Sequence, residues 1–156
     1  LDDGSALLLA LLDATPRQIV DLGCGSGVLG LVAARRWPAA SVLCTDSSHL
    51  AVASAVAAGG VEGLVCDAGD EVPSGADLVL CNPPFHAGGA QTRAVAARMF
   101  TQAARILSAD GALWVVGNRH LDYHHGLHRW FEDVRVRSAD PRFAVIEARR
   151  PKNRGG

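Results

Sequence analysis

Two segments of the chain place backbone and side-chain groups at spacings that can do chemistry. The first is Val20-Asp21-Leu22-Gly23-Cys24-Gly25-Ser26-Gly27-Val28-Leu29-Gly30, an apolar strand that runs into alternating glycines and then into a helical pattern. Glycines in that setting let the backbone turn tightly and come close to a ligand, and the helix that follows offers free N–H groups. The second is Asp77-Leu78-Val79-Leu80-Cys81-Asn82-Pro83-Pro84-Phe85-His86. Here the Asn82 side-chain oxygen and the Pro83 carbonyl are hydrogen-bond acceptors on a stiff turn at a strand's carboxyl end, where open parallel sheets hold ligands. Alone, Asn-Pro-Pro more often means only a rigid turn. It is the combination with the glycine segment that carries the argument.

Spacing admits two ligand classes for the glycine turn. Gly25, Gly27 and Gly30 satisfy G-x-G-x-x-G, and Asp46 follows about twenty residues on, as a ribose-binding acid of a dinucleotide site should. Asp21 counts against a dinucleotide, because a carboxylate two residues before Gly23 would crowd a pyrophosphate. It suits a ligand with no phosphates and a positive centre. Asp21-x-Gly23-x-Gly25-x-Gly27 resembles the first motif of the class I methyltransferases, which bind S-adenosylmethionine. That resemblance implies that Asp46 accepts from the ribose hydroxyls and that Asp67 accepts from the adenine amino group. It makes Asp21, Gly23, Gly25, Gly27, Asp46, Ser47, Asp67, Ala68 and Asn82 the candidate cofactor-binding residues. A turn-capping role is the plainer alternative for Asp67.

Methylation of a planar amine requires that its lone pair be turned out of conjugation, which hydrogen-bond acceptors at the amino hydrogens can do without a strong base. Asn82 and the Pro83 carbonyl could each take one N–H, favouring the positive charge that develops on nitrogen. Phe85 offers a stacking face. Candidate catalytic residues are therefore Asn82, Pro83 and Phe85, and candidate substrate-binding residues Pro84, Phe85, His86 and Arg119. Asn82-Pro83-Pro84-Phe85-His86 resembles the signature of the ribosomal RNA guanine-N2 methyltransferases. Gly117-Asn118-Arg119-His120-Leu121-Asp122-Tyr123 is similar to the large-subunit branch of that family. Leu1-Asp2-Asp3-Gly4 resembles the loop that lies over the cofactor there, and Arg142-Phe143-Ala144-Val145-Ile146 its last strand. The resemblance implies an α/β, Rossmann-like, doubly wound seven-stranded sheet with its last strand antiparallel. It also implies in-line methyl transfer to the N2 amine of a splayed-out guanine in ribosomal RNA, in the cytoplasm. The resemblance implies an amino-terminal RNA-binding domain of similar size, and this sequence starts where the catalytic domain is expected to begin. A protein glutamine or small-molecule N-methyltransferase, a catalytically silent binding module and, remotely, a dehydrogenase are the alternatives.

The elements that must position these residues alternate. Strands are expected at Gln18 to Leu22, Ser41 to Thr45, Val61 to Cys66, Ala76 to Cys81 and Ala112 to Gly117, with helices at Gly4 to Asp13, Val28 to Arg36, Ser47 to Ala58 and Gln91 to Leu107. A polar helix near Leu121 to Phe131 and two alternating strands, Asp133 to Arg137 and Arg142 to Arg149, follow. Such alternation specifies a parallel sheet covered on both faces.

At 156 residues the chain is one domain, expected over residues 1–150 with a basic tail over 151–156. Hydrophobic residues at 49%, charged residues at 20% and a net charge of −1 exclude a disordered or polybasic chain. The longest apolar run, Ala6 to Leu12, is too short to span a bilayer. Asp2 and Asp3 stand where a secretory signal would be cationic, and the missing initiator Met suggests a trimmed chain. Charge is nonetheless split, with net −7 over residues 1–80 and net +6 over 81–156, which suits an anionic partner beside the second half. Cys44, Cys66 and Cys81 fall in strands as small hydrophobes, without a C-x-x-C pair. His120, His124 and His128 would line one face of the expected polar helix, but without a nearby H-E-x-x-H acid or Cys no metal is expected. Arg93, Arg98 and Arg129 join Arg119 as candidates for phosphate contacts.

Overall fold

A computed structural model describes residues 2–84 and 89–152. Helix α1 (Asp3–Leu11) starts where the Asp2 side chain caps the Ser5 N–H at 2.8 Å. Five parallel strands follow with their crossovers: β1 (Gln18–Leu22), α2 (Val28–Arg36), β2 (Ser41–Asp46), α3 (His49–Ala58), β3 (Glu62–Val65), β4 (Ala76–Cys81), α4 (Gly89–Ile106) and β5 (Leu107–Asn118). A short 3-10 turn (Arg119–Leu121) and α5 (Tyr123–Leu127) lead to the hairpin β6 (Phe131–Ala139) and β7 (Phe143–Pro151). The sheet order is β3-β2-β1-β4-β5-β7-β6, with β7 antiparallel to both neighbours. This is the seven-stranded arrangement expected from the sequence.

The pleat sorts the core into two layers. Val20, Leu22, Val79, Cys81, Leu113 and Val115 face α4 and α5, meeting Met99, Phe100, Ala103 and Leu127. Ile19, Leu78, Leu80 and Trp114 face the other way, against Leu8 of α1 and Leu29 and Ala33 of α2. Both faces of β4 are therefore apolar, and Ala76 and Leu78 to Cys81 are all buried, as a central parallel strand requires. Cys44, Cys66 and Cys81 are buried free thiols. Burial lifts the Cys81 thiol well above its ordinary range, so at neutral pH it is no nucleophile.

Three expectations change. The polar helix over Leu121 to Phe131 is broken: Asp122 adopts a left-handed backbone at φ 53°, α5 is five residues long, and Phe131 already opens β6. Asn118 caps the 3-10 turn by accepting from the His120 N–H at 3.0 Å, and Gly126 gives α5 little propensity to extend. His120, His124 and His128 consequently share no helix face. His124 instead packs edge-on against His128, and His125 Nδ1 meets Asp122 Oδ2 at 2.7 Å. Second, β5 begins at Leu107 rather than Ala112. Leu107 pairs with Ala76 and Ala112 with Leu78, so three extra residues bulge from β5. Third, β7 reaches Pro151, which pairs with Phe131 of β6, and Lys152 donates its N–H to the Trp130 carbonyl at 2.8 Å, so these two residues continue β7. Among the described residues, no helix is long and apolar enough to cross a membrane.

Candidate functional site

The carboxyl ends of β1, β2, β4 and β5 open onto one cavity of about 720 Å³, a size usual for a ligand site. Gly23 and Gly25 of the turn line it, with backbone φ of 68° and 54° that other residues adopt only at a cost. A Cβ on Gly25 would meet nothing within 4 Å, so this glycine faces the open space. Gly27, at φ 80°, does a different job: a Cβ there would stand 2.7 Å from Ala55 Cβ, and the glycine lets the turn pack on α3.

Asp46 sits at the end of β2 and closes the turn. Its Oδ2 accepts from the Gly25 N–H and its Oδ1 from the Ser48 N–H, both at 2.9 Å. Half-buried, with Ser47 beside it, it borders the cavity and keeps lone pairs for a hydroxyl-rich ligand. Thr45 also lines the cavity, and its Oγ1 is buried with no hydrogen-bond partner. A buried hydroxyl so placed fits a ligand's polar group. Asp67 and Ala68 follow β3 on the adjoining wall, where Asp67 Oδ2 is held by Arg98 at 2.7 Å. Cys66, Val95 and Met99 make that wall apolar, which suits a flat heterocycle.

Beside the turn, since Cys81 is in register with Leu22, Asn82 and Pro83 leave the end of β4 and line the same cavity, with Pro84 exposed. Asn82 Nδ2 donates to Ser5 Oγ at 3.3 Å. The remaining wall comes from Asp2 and Gly4 at the start of α1, Val116 to Asn118 at the end of β5, and Phe143 at the start of β7. Phe143 is set by Asp140, whose Oδ1 accepts from the Arg142 and Phe143 N–H groups at 2.7 Å each; those bonds hold the Asp140 carboxyl below its usual range.

Of the residues singled out in the sequence, the cavity thus gathers Gly23, Gly25, Asp46, Ser47, Asp67, Ala68, Asn82, Pro83 and Pro84. Asp21, Gly27 and Arg119 do not line it. Asp21 lies on the pleat face of Ile19, 1% exposed, with Oδ2 accepting from the Gly30 N–H at 2.8 Å. It meets α2 instead of a ligand's positive centre. Arg119 is exposed beside a smaller adjoining hollow and leans on the Asp140 carbonyl at 3.4 Å. Phe85 and His86 lie outside the described residues. Sequence reasoning passed over Thr45 and Met99, which carry no motif, and gave Asn118 no role of its own; these residues reach the cavity through strand order and helix packing. Among the described residues, no group of three or more His, Cys, Asp or Glu could hold a metal ion.

Gly30 lets α2 pack closely on β1 and β2, the role that the third glycine of a dinucleotide fingerprint also has. A Cβ there would fall 2.5 Å from Cys44 Sγ and 3.2 Å from Asp21 Oδ2. Gly30→Ala is expected to destabilise the fold by about 1–3 kcal/mol through overpacking. A lowered urea midpoint at unchanged slope would show it, and an unchanged midpoint would contradict the packing.

Comparison with known proteins agrees with this geometry. Residues 1–147 match the methyltransferase small domain family. The ribosomal RNA large subunit methyltransferase G of Streptomyces coelicolor is 48% identical over 95% of this chain, and that of Aeromonas salmonicida 42% identical over 95%. The chain spans 42% of the length of each of these curated relatives. Among solved structures, the T. thermophilus 16S rRNA N2 G1207 methyltransferase (RsmC), in complex with AdoMet and guanosine, superposes with a TM-score of 0.81 at 29% identity. That match covers 96% of this chain and 43% of the other.

Proposed function

The chain belongs to the methyltransferase small domain family, and from that premise we propose that it is the catalytic domain of an S-adenosylmethionine-dependent enzyme that methylates the exocyclic N2 amine of guanine in ribosomal RNA. The observation that carries the reading is the sharing of one cavity by Gly23, Gly25 and Asp46 with Asn82 and Pro83. The printed names of the relatives support the substrate class, and an RNA substrate implies a cytoplasmic enzyme.

S-adenosylmethionine, when bound, supplies a methyl group on a positively charged sulfur. Gly23 and Gly25 let the backbone approach it, Asp46 takes the ribose hydroxyls, and the orphaned Thr45 Oγ1 gains a partner. Asp67 remains the proposed acceptor for the adenine amine through the carboxylate corner not turned to Arg98. Asn82 Oδ1 and the Pro83 carbonyl take the two N–H groups of the guanine amine, and Pro84 stiffens the turn that carries them. Phe85 and His86 follow directly in sequence and are the proposed stacking surface. A stacked base cannot enter, so the target guanine must be unpaired or flipped out. No covalent enzyme adduct is required.

Incubating the full-length protein with methyl-labelled cofactor and unmodified ribosomal RNA, followed by nucleoside mapping, tests this reading. Label in N2-methylguanosine is the expected result; label in protein glutamine, or none in RNA, overturns it. Asp46→Ala removes charge-assisted acceptors and is expected to weaken cofactor binding by about tenfold to a hundredfold. Equilibrium dialysis with labelled cofactor measures this, and unchanged affinity would place the ribose elsewhere.

A further inference from the structure

We propose that Ser5 is a positioning residue that sets which corner of the Asn82 amide faces the cavity, with Asp2 fixing the direction of the serine's own hydrogen bond. The inference rests on the reading of Asn82 as an acceptor for the substrate amine. An asparagine amide has one corner that accepts and one that donates, nearly identical in size, and half a turn exchanges them. Only the accepting corner can hold an amine hydrogen, so the site needs something that tells the two apart.

The first turn of α1 provides it. Ser5 Oγ donates to Asp2 Oδ2 at 3.1 Å, and Asp2 Oδ1 accepts the Ser5 N–H at 2.8 Å. An ionised carboxylate only accepts, so the single hydroxyl hydrogen of Ser5 is committed to Asp2. What Ser5 shows to Asn82 is therefore a lone pair, and Asn82 Nδ2 donates to it at 3.3 Å. The reversed amide would set Oδ1 against Oγ with no hydrogen between them, a repulsive contact at a residue only 4% exposed. The relay Asp2, Ser5, Asn82 has one polarity, and that polarity leaves the Asn82 oxygen for the cavity. Gly4 makes the approach possible, since a Cβ there would stand 2.9 Å from Val116 Cγ2. The contact joins residues 77 apart in sequence.

The chain has three Asn and three Gln, so its side-chain amides give few NMR signals, and those of Asn82 are identified by their loss in Asn82→Ala. In Ser5→Ala, the Asn82 NH2 pair is expected to move toward free-amide shifts and to exchange with solvent about tenfold faster, in line with one lost hydrogen bond. Ser5→Thr, which keeps the hydroxyl, should restore both. If Ser5→Ala fails to fold, Ser5→Cys has nearly the same size and a poor acceptor, and serves for the same measurement. In methyl transfer by the full-length protein, Ser5→Ala should lower kcat about tenfold with the KM for cofactor within about twofold, and threonine should rescue it. Asp2→Asn, whose amide can donate to Ser5 and release the hydroxyl hydrogen toward Asn82, should also lower kcat, but add little to Ser5→Ala. Unmoved Asn82 signals in a folded Ser5→Ala protein would overturn the proposal. Signals that move as expected, in a protein that transfers no methyl to RNA even with wild-type Ser5, would uphold the relay and defeat the proposed function instead.

Discussion

Asn82→Ala is expected to lower the rate constant for methyl transfer by about two to three orders of magnitude while leaving the cofactor dissociation constant within about twofold. The split follows from where the side chain stands. Asn82 directly follows the end of β4, before the two prolines, and it borders the cavity beside the glycine turn. Its oxygen is proposed to take an N–H that becomes more acidic as the amine nitrogen gains charge, so the bond strengthens toward the transition state. Cofactor affinity is assigned to groups the substitution leaves in place, chiefly Asp46 and the backbone of Gly23 and Gly25. Single-turnover methyl transfer to ribosomal RNA, run beside equilibrium dialysis of the cofactor, separates the two. Equal transfer by wild type and variant would defeat the clamp. A large loss of cofactor affinity would mean instead that Asn82 holds the methyl donor. Ser5→Ala should reproduce a fraction of the same defect, because it leaves the oxygen present but unaimed.

That Asn82 could be singled out from the sequence at all reflects how local its signal is. The strand Leu78 to Cys81 is apolar on both faces, so it must be central, and the residues at its carboxyl end must then border the site. The glycine turn is legible for the same reason, each glycine standing next to the strand and helix that give it meaning. Asp21 is the informative exception. Its place in the motif suggested a ligand contact, yet the period-two alternation of β1 puts it on the face of Ile19, toward Gly30. Asn118 and Phe143 are a different case. Their segments carried the resemblance, but the two residues meet at the cavity because β7 inserts between β5 and β6, a long-range pairing that no local pattern encodes. The ion pair of Asp67 with Arg98, 31 residues apart, is hidden for the same reason. The histidine helix failed locally: three residues at helical spacing suggested a face, but Asp122 in a left-handed conformation ends the turn between the first and second of them.

The displaced role of Asp21 has a thermodynamic consequence. Burial raises its carboxyl pKa to about 7, with the nearby charge of Asp46 adding to the rise and the Gly30 N–H opposing it. In the unfolded chain the group returns to its ordinary value of 3.8. Between about pH 4 and pH 7 the folded protein therefore holds a proton that the unfolded chain has lost, and raising the pH through that window removes stability. The whole interval amounts to about 4 kcal/mol, nearly all of it spent by pH 8. Asp140, whose carboxyl is held low by backbone N–H groups, works in the opposite sense, but its contribution is lost only as the pH falls through the acid range. Asp21→Asn keeps an oxygen for the Gly30 N–H and carries no charge. Its unfolding free energy is expected to exceed that of wild type by a few kcal/mol at pH 8, with the gap closing toward pH 5. Urea unfolding of both proteins at pH 5, 6.5 and 8 measures the difference directly and cancels every other titrating group. Parallel pH curves would mean that Asp21 is charged in the fold throughout. A wild type that loses stability as the variant holds it would instead show that the chain tolerates a buried acid to tie α2 to the end of β1. That tie, through Gly30 to the turn that bears Gly23 and Gly25, is then what keeps the donor side of the cavity in register with Asn82.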